Sequence, residues 1–341
     1  MKKIIAVVYN AVDQDSQPDE LDVLDQVDAV SKALADLDFN PVPVPCGLDL
    51  ECLKRDLMNL RPRAVFNLVE ALEGQGRLIH VVPYLLDSIG IPYTGCPADA
   101  IYLTSHKTAA KERMRQAGLP TPDWIGPYQA GMAIQSLTST YLKSRISNGP
   151  WIIKSLWEHG SLGLEKENII TALPDRLGPL LEKAAQGLGH ACFAEAFING
   201  REFNLSLLGD GKEVRVLPPA EIRFLDFGQD EPKIVGYRAK WHPDAYEYQH
   251  TLRSFDFPET DRELLSRLSD LARSCWNLFS MAGFARVDFR VDENQDPHIL
   301  EINANPCISP DAGFTAALER AGISYTTAIA RIMDAVIRAG E

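Results

Sequence analysis

Ala285-Arg286-Val287-Asp288-Phe289-Arg290-Val291 and His298-Ile299-Leu300-Glu301-Ile302-Asn303-Ala304-Asn305-Pro306 decide how this chain is read. Two apolar-rich runs, Ala285–Val291 and His298–Ile302, flank the polar turn Asp292-Glu293-Asn294-Gln295-Asp296-Pro297. This pattern predicts a β-hairpin with a loop of about six residues. Side chains alternate faces along a strand, so Arg286, Asp288 and Arg290 share one face, and Glu301 and Asn303 share a face of the partner. Where those faces coincide, two carboxylates and one amide oxygen converge beside a guanidinium. Magnesium takes hard oxygen ligands in this way and usually also binds substrate phosphates. An arginine there can stabilise charge that develops during acyl or phosphoryl transfer. The plainer reading is a charged strand face that meets water, and the rest of the chain weighs against it.

A chain of 341 residues has room for two or three subdomains and a substantial core. Hydrophobic residues make up 45 % and charged residues 24 %, as in an ordinary globular protein. The formal net charge of −13 disfavours a nonspecific nucleic-acid binder, because phosphate neutralisation needs clustered Lys and Arg. Of the six cysteines none forms a CxxC pair or has zinc spacing, which predicts reduced thiols and a cytoplasmic protein. The N-terminal apolar run stops at Asn10 without a small-residue cleavage site, so it reads as a buried strand rather than a signal peptide. No stretch approaches the roughly 18 apolar residues of a membrane span.

Residues 1–120 read as alternating strands and helices: strands at Ile4–Tyr9, Pro41–Val44 and Ala64–Val69, helices at Asp22–Leu37, Leu50–Leu60 and Leu78–Ile89, the last stopped by Gly90. Such βα units imply a parallel sheet covered on both sides. Thr104–Ala117 reads as a helix capped by Ser105, and Leu119-Pro120-Thr121-Pro122 ends it. A central region, 121–200, has strands at Trp151–Ser155 and Cys192–Phe197 and a helix around Leu173–Gly187. A C-terminal region, 201–341, has strands at Arg201–Leu208 and Glu213–Pro218 and an irregular stretch to about 258. Helix Thr260–Ala282, the hairpin and helix Tyr325–Ala339 complete it.

The usual nucleotide and hydrolase motifs are missing. There is no GxxxxGK[ST] loop, no HExxH and no GxSxG, and Gly74-Gln75-Gly76 lacks the third glycine of a dinucleotide fingerprint. Three other segments follow in order. Trp151-Ile152-Ile153-Lys154 leads into the small-residue loop His159-Gly160-Ser161-Leu162-Gly163, which can close over phosphates with its N–H groups while the lysine acts as a point charge. Ala194-Glu195-Ala196-Phe197-Ile198-Asn199-Gly200-Arg201-Glu202 places two glutamates seven apart, and Glu195 in an apolar strand is costly unless paired. The hairpin is the third.

This ordered set resembles the ATP-grasp superfamily, and most closely its D-alanine–D-alanine ligase branch. The resemblance runs over nearly the whole chain, through Pro92-Tyr93-Thr94-Gly95, Lys107 and Gly118-Leu119-Pro120-Thr121-Pro122. It implies an α/β N-terminal domain followed by two mixed α+β subdomains, with ATP and two Mg2+ ions, or Mn2+ in their place. It further implies that Lys107 and Lys154 contact ATP phosphates or the base, and that Ser161 closes over the phosphates. Glu195 and the backbone of Phe197 and Ile198 would meet the adenine, and Glu202 the ribose. Lys240, in Gly236-Tyr237-Arg238-Ala239-Lys240-Trp241, would reach the transferred phosphate, Asp288, Glu301 and Asn303 would hold the metal ions, and Arg286 would stabilise the tetrahedral intermediate. From sequence alone Lys107, beside Lys111, Arg113 and Arg115, reads equally well as part of a solvated helix face. The implied reaction joins a carboxylic acid to an amine through an acyl phosphate, with amino acids as substrates and a homodimer as the assembly.

Departures fall on the substrate side. The family's Glu-Val-Ser-Leu signature reads here Asp19-Glu20-Leu21-Asp22-Val23-Leu24, and its Leu-His-Gly reads Val69-Glu70-Ala71. Its Thr-x-Pro-Gly-Met-Thr and the serine that follows become Ala304-Asn305-Pro306-Cys307-Ile308-Ser309-Pro310-Asp311-Ala312. The expectation is a ligase whose substrates are not both D-alanine. The alternatives are a true D-alanine–D-alanine ligase with a divergent acceptor loop, or a nucleotide-binding module without ligase activity.

Overall fold

The computed structural model describes residues 2–13, 15–131, 149–158, 160, 164–173, 176–228 and 231–339. Ile4–Asn10 (β1) is apolar on both sides of its pleat, which suits an interior strand. It lies between Asn40–Cys46 (β2) and Ala64–Asn67 (β3), parallel to both. Ile5, Val7 and Phe66 face Val23, Val27, Val30 and Leu34 of helix α1 (Pro18–Asp36). Ala6, Val8 and Val65 face the other way, toward Leu53 and Leu57 of α2 (Leu50–Leu60) and Val82 and Leu86 of α3 (Val81–Ile89). The sheet is covered on both sides, as the βα alternation predicts. Leu34 and Leu57 are 0 % exposed, and burial of each is worth roughly 2 kcal/mol. The strand order β2-β1-β3 puts a topological switch point between β1 and β3.

The single helix expected over Thr104–Ala117 is two: α4 (Ala98–Ser105) and α5 (Lys107–Gln116), broken at His106. His106, not Ser105, caps the second, its Nδ1 accepting from the Ala109 N–H at 3.2 Å. The Lys107 N–H bonds to the Leu156 carbonyl at 3.2 Å, a tertiary partner that replaces helical continuation and that periodicity cannot show.

The central sheet has the order β4-β7-β5-β6: β4 Trp124–Tyr128, β5 Pro150–Ser155, β6 Ile169–Thr171 and β7 Cys192–Ala196, all antiparallel. Helix α6 (Leu177–Leu188) lays Leu177, Leu181 and Ala185 on it. The sequence conceals β4, because Gly126 and Pro127 read as a turn, and the strand does pair irregularly between Ile125 and Tyr128.

The third sheet contains β8 (Arg201–Gly209), β9 (Val214–Val216), β10 (Ala220–Phe224), β11 (Thr251–Ser254), β12 (Phe284–Val291) and β13 (Pro297–Asn303). The stretch expected to be irregular up to 258 holds β10 and β11, together with the one-turn helices α7 (Tyr237–Trp241) and α8 (Tyr246–His250). These elements are four or five residues long and carry too few apolar positions to show a period. Helix α9 (Arg262–Leu278) packs Leu264, Leu268, Ala272 and Cys275 against Phe203, Leu205 and Leu207 of β8. Helix α10 (Gly313–Arg320) is also additional, whereas α11 (Tyr325–Ala339) spans the predicted residues. Among the described residues no helix is long and apolar enough to cross a membrane.

Candidate active site

In the hairpin, Asp288 stands opposite Glu301 and Arg286 opposite Asn303. The register slips after Asp288, so Phe289 faces Ile299 and Leu300 is the extra residue of a bulge. The two carboxylates, the amide and the guanidinium therefore share a face, as alternation predicts. Arg286 grips both oxygens of Asp288, Nε to Oδ1 and a terminal nitrogen to Oδ2, each at 2.8 Å. Asp288 Oδ1 also accepts from Asn204 Nδ2 at 2.8 Å. On the other side of β12, the ladder to β8 sets Asn204 against Asp288 and Glu202 against Arg290. Arg290 lies 2.9 Å from Glu202 and donates to the carbonyl oxygens of Gly200 (3.1 Å) and Lys233. Asn204 and Arg290 are functional candidates to which the sequence reading gives no role. Their signal is the Glu202-x-Asn204 spacing, which has meaning only once β8 is known to pair with β12. Asn303 Oδ1 accepts from the Asn305 N–H at 3.0 Å, and Asn305 Nδ2 donates to the Val69 carbonyl at 2.9 Å.

Lys107, read from sequence as equally suited to a solvated face, is 7 % exposed, and its neighbour Lys111 is only 1 % exposed. Lys107 Nζ donates to the Glu158 carbonyl at 2.5 Å and lies 4.0 Å from Glu301 Oε2. Burial pulls its pKa down. Glu195 is held on both oxygens, by Lys154 at 2.7 Å on Oε1 and by Lys111 on Oε2. Burial pushes the Glu195 carboxyl up, but the two ammonium groups more than reverse this and hold it below its ordinary range. Lys111 Nζ further donates to Thr121 Oγ1 (2.8 Å), and that hydroxyl donates to the Ile299 carbonyl (2.8 Å). A chain of contacts thus runs from β7 through α5 to β13. Phe197 and Ile198 follow β7, both half-buried, with the Phe197 ring 5.7 Å from the Arg290 guanidinium.

Lys240 sits on α7. Burial and the nearby Arg286 lower its pKa, while Glu301, Asp288 and Glu202 oppose the shift. The segment after β5 packs on this helix: the Tyr237 N–H donates to the Leu164 carbonyl (3.2 Å) and Trp241 Nε1 to the Gly160 carbonyl (3.3 Å). Ser161, expected in the closing loop, lies outside the described residues. Lys107, Lys154, Lys240 and Arg286 thus ring the hairpin carboxylates, an arrangement suited to polyphosphate. The donor set of Asp288, Glu301 and Asn303 is all hard oxygen, which fits Mg2+ with phosphate oxygens and water completing its shell.

Beside Arg286 lies a second, acidic group. Gln26, 1 % exposed, points Nε2 at Glu70 Oε1 (2.8 Å) and at Asp22 Oδ2 (3.3 Å), while its Oε1 accepts from the Ile308 N–H (3.1 Å). Cys307 Sγ donates to Asp22 Oδ2 at 2.9 Å. Burial, with Asp22 and Asp19 nearby, pushes the Glu70 carboxyl up to about 7 against the Gln26 hydrogen bond and Arg286. Burial likewise raises Asp22.

The chain as a whole is similar to known proteins. A family model described as "D-ala D-ala ligase C-terminus" matches residues 114–334. An uncharacterised Sinorhizobium fredii protein, y4sG, is 30 % identical over 80 % of this chain and 74 % of its own length. A D-alanine–D-alanine ligase of Moorella thermoacetica is 29 % identical over 90 % of this chain and 91 % of its own. The D-alanine–D-alanine ligase of Bacillus anthracis, solved in complex with ATP, superposes with a TM-score of 0.72 at 21 % identity, covering 99 % of this chain and 98 % of that one.

Proposed function

Because this chain belongs to the D-alanine–D-alanine ligase family, whose members are ATP-grasp carbon–nitrogen ligases, we propose that it joins a carboxylic acid to an amine at the expense of ATP, with amino acids other than a pair of D-alanines as substrates. The observation that carries this reading is the oxygen set of Asp288, Glu301 and Asn303 beside Arg286, ringed by three buried or half-buried lysines.

In this proposal Lys107 and Lys154 hold the phosphates, Ser161 closes over them, and Lys240 reaches the phosphoryl group that moves. Glu195 and the backbone at Phe197 and Ile198 meet the adenine, and Glu202, fixed by Arg290, meets the ribose. Asp288, Glu301 and Asn303 hold two Mg2+ ions, or Mn2+ in their place, which when bound neutralise phosphate charge and polarise the γ-phosphoryl group. The substrate carboxylate attacks the γ-phosphorus and ADP leaves, which gives an acyl phosphate. The amine then attacks the acyl carbon, and phosphate departs with the C–O electron pair. Arg286 donates to the oxyanion between those events, and a covered site keeps water from the acyl phosphate. The departures at Val69-Glu70-Ala71 and at Pro306-Cys307-Ile308 support substrates other than D-alanine twice over. Six unpaired thiols suit a cytoplasmic setting, and an assembly of two copies belongs to the same proposal.

The test is ADP and phosphate release with Mg-ATP across D- and L-amino acids, singly and in pairs, with Asp288→Asn as control. Release that needs one pair and vanishes in the control is the expected result. D-alanyl-D-alanine formation at about 1 per second or faster overturns the substrate part. ATP binding without release in any combination favours a nucleotide-binding module.

A further inference from the structure

We propose that Arg290 is a positioning residue that couples recognition of the ribose to the placement of Lys240. A nucleotide held through its ribose hydroxyls then also sets the lysine that meets the moving phosphoryl group. This rests on the ligase reading above and adds to it a residue to which the sequence reading gives no role.

Arg290 is 4 % exposed although it carries a charge. The strand ladder explains its place. Alternation along β12 puts Arg286, Asp288 and Arg290 on one face, and β8 sets Glu202 directly against Arg290. Burying a guanidinium is costly unless its donors are satisfied. One terminal nitrogen donates to the Gly200 carbonyl at 3.1 Å; the other lies 2.9 Å from Glu202 Oε2 and also donates to the Lys233 carbonyl. The rings of Phe197 and Phe224 stand 5.7 and 5.8 Å from the guanidinium, close enough to favour the cation. An apolar side chain would fill the same space without the desolvation cost. What the fork adds is a tie between segments far apart in the chain.

Those segments are the ones the proposed reaction uses. Phe197 belongs to the wall proposed for the adenine, and Glu202 to the ribose. Glu202 Oε1 accepts no hydrogen bond among the described residues, so with Oε2 held by Arg290 it is the oxygen left for a ribose hydroxyl. Lys233 precedes α7, which carries Lys240, and residues 232–236 form neither helix nor strand. A donor on the Lys233 carbonyl therefore fixes the path of the chain into α7 where no ladder does. Burial raises the Glu202 carboxyl, and Arg290 and Lys240 are among the charges that oppose it, so the acid and the lysine stand in each other's field. A hydroxyl that immobilises Glu202 also immobilises the fork, and the fork immobilises the approach to Lys240. An ammonium at position 290 would keep the charge beside Glu202 but lacks the planar fork that holds carboxylate and carbonyls together.

The experiment follows amide hydrogen exchange in peptides spanning 231–241, read by mass spectrometry on the full chain. Mg-ADP and Mg-2′,3′-dideoxy-ADP are each added at concentrations that saturate the protein. The two nucleotides carry the same phosphates and differ only in the ribose hydroxyls. In the wild type Mg-ADP is expected to slow exchange about tenfold or more, and the dideoxy nucleotide less than about threefold. In Arg290→Lys and Arg290→Met, Mg-ADP should protect no better than the dideoxy nucleotide, while saturable binding by calorimetry shows that the variants fold. A merely structural contact would, when lost, speed exchange with and without nucleotide alike and leave the difference between the two nucleotides in place. Equal protection by the two nucleotides in the wild type, or an ADP effect that survives in either variant, overturns the inference. The wild-type comparison decides it alone where the variants bind no nucleotide. Absence of Mg-ADP binding to the wild type overturns both this inference and the ligase reading. Protection that needs Arg290, without ADP release in any acid–amine combination, sinks the ligase reading alone. Release without that pattern of protection sinks this inference alone.

Discussion

Lys111 and Glu195 form an ion pair in which both side chains are 1 % exposed. Such a pair stabilises little by itself, but breaking it leaves a buried charge with less compensation. Lys111→Met should therefore lower stability by about 3 kcal/mol, read from urea unfolding. It should also raise KM for ATP more than it lowers kcat, because Glu195 loses one of the two groups that orient it. A variant with unchanged stability and unchanged KM would show that Lys154 alone suffices.

The Arg286 fork on Asp288 leads to a second expectation. An amide at position 288 cannot accept both donors, and it removes one anionic oxygen from the proposed metal-binding set. Asp288→Asn should lower ADP release by at least about a hundredfold while circular dichroism stays native-like. Activity within a few-fold of wild type would remove Asp288 from the metal set.

Glu70 makes stability depend on pH. Its carboxyl is raised from 4.5 to about 7 in the folded chain, so between those values the folded state holds a proton that the unfolded state has released. The contribution is fully present below 4.5 and is lost as pH rises through about 7. Glu70→Gln should match wild type near pH 4 and exceed it by on the order of 2 kcal/mol near pH 8, measured by denaturant unfolding across pH. The opposite slope would mean that a cation of the protein already neutralises Glu70.

Gly200 has φ near +149°, and a Cβ there would stand 2.0 Å from the Val291 carbonyl oxygen. Its own carbonyl accepts from Arg290. Gly200→Ala should cost about 3 kcal/mol or more and displace Arg290 from Glu202. A thermal melt within a degree or two of wild type would contradict this.

The hairpin was legible because alternation and a polar turn are both local. Strands β1 and β3 were legible as short continuous apolar runs, also a local signal, and Leu50–Leu60 and Tyr325–Ala339 match the predicted spans residue for residue. What escaped was tertiary in origin. The break at His106 depends on a ring nitrogen and on the Leu156 carbonyl. The burial of Lys111 depends on Glu195, 84 positions further along the chain, and no helical period reports that. Asn204 gains meaning only from a strand pairing. Glu70 could be seen as a departure from a resemblance, but its link to Asp22 through Gln26 could not.

Ile308 and Cys307 are bonded to Gln26 and Asp22, so the loop after β13 and the helix after β1 form a single surface drawn from opposite ends of the chain. Grafting that loop alone into a relative would bring its thiol and its N–H without the carboxylate and amide they fit. The two segments fit each other, and a chimera that transfers this surface must exchange both.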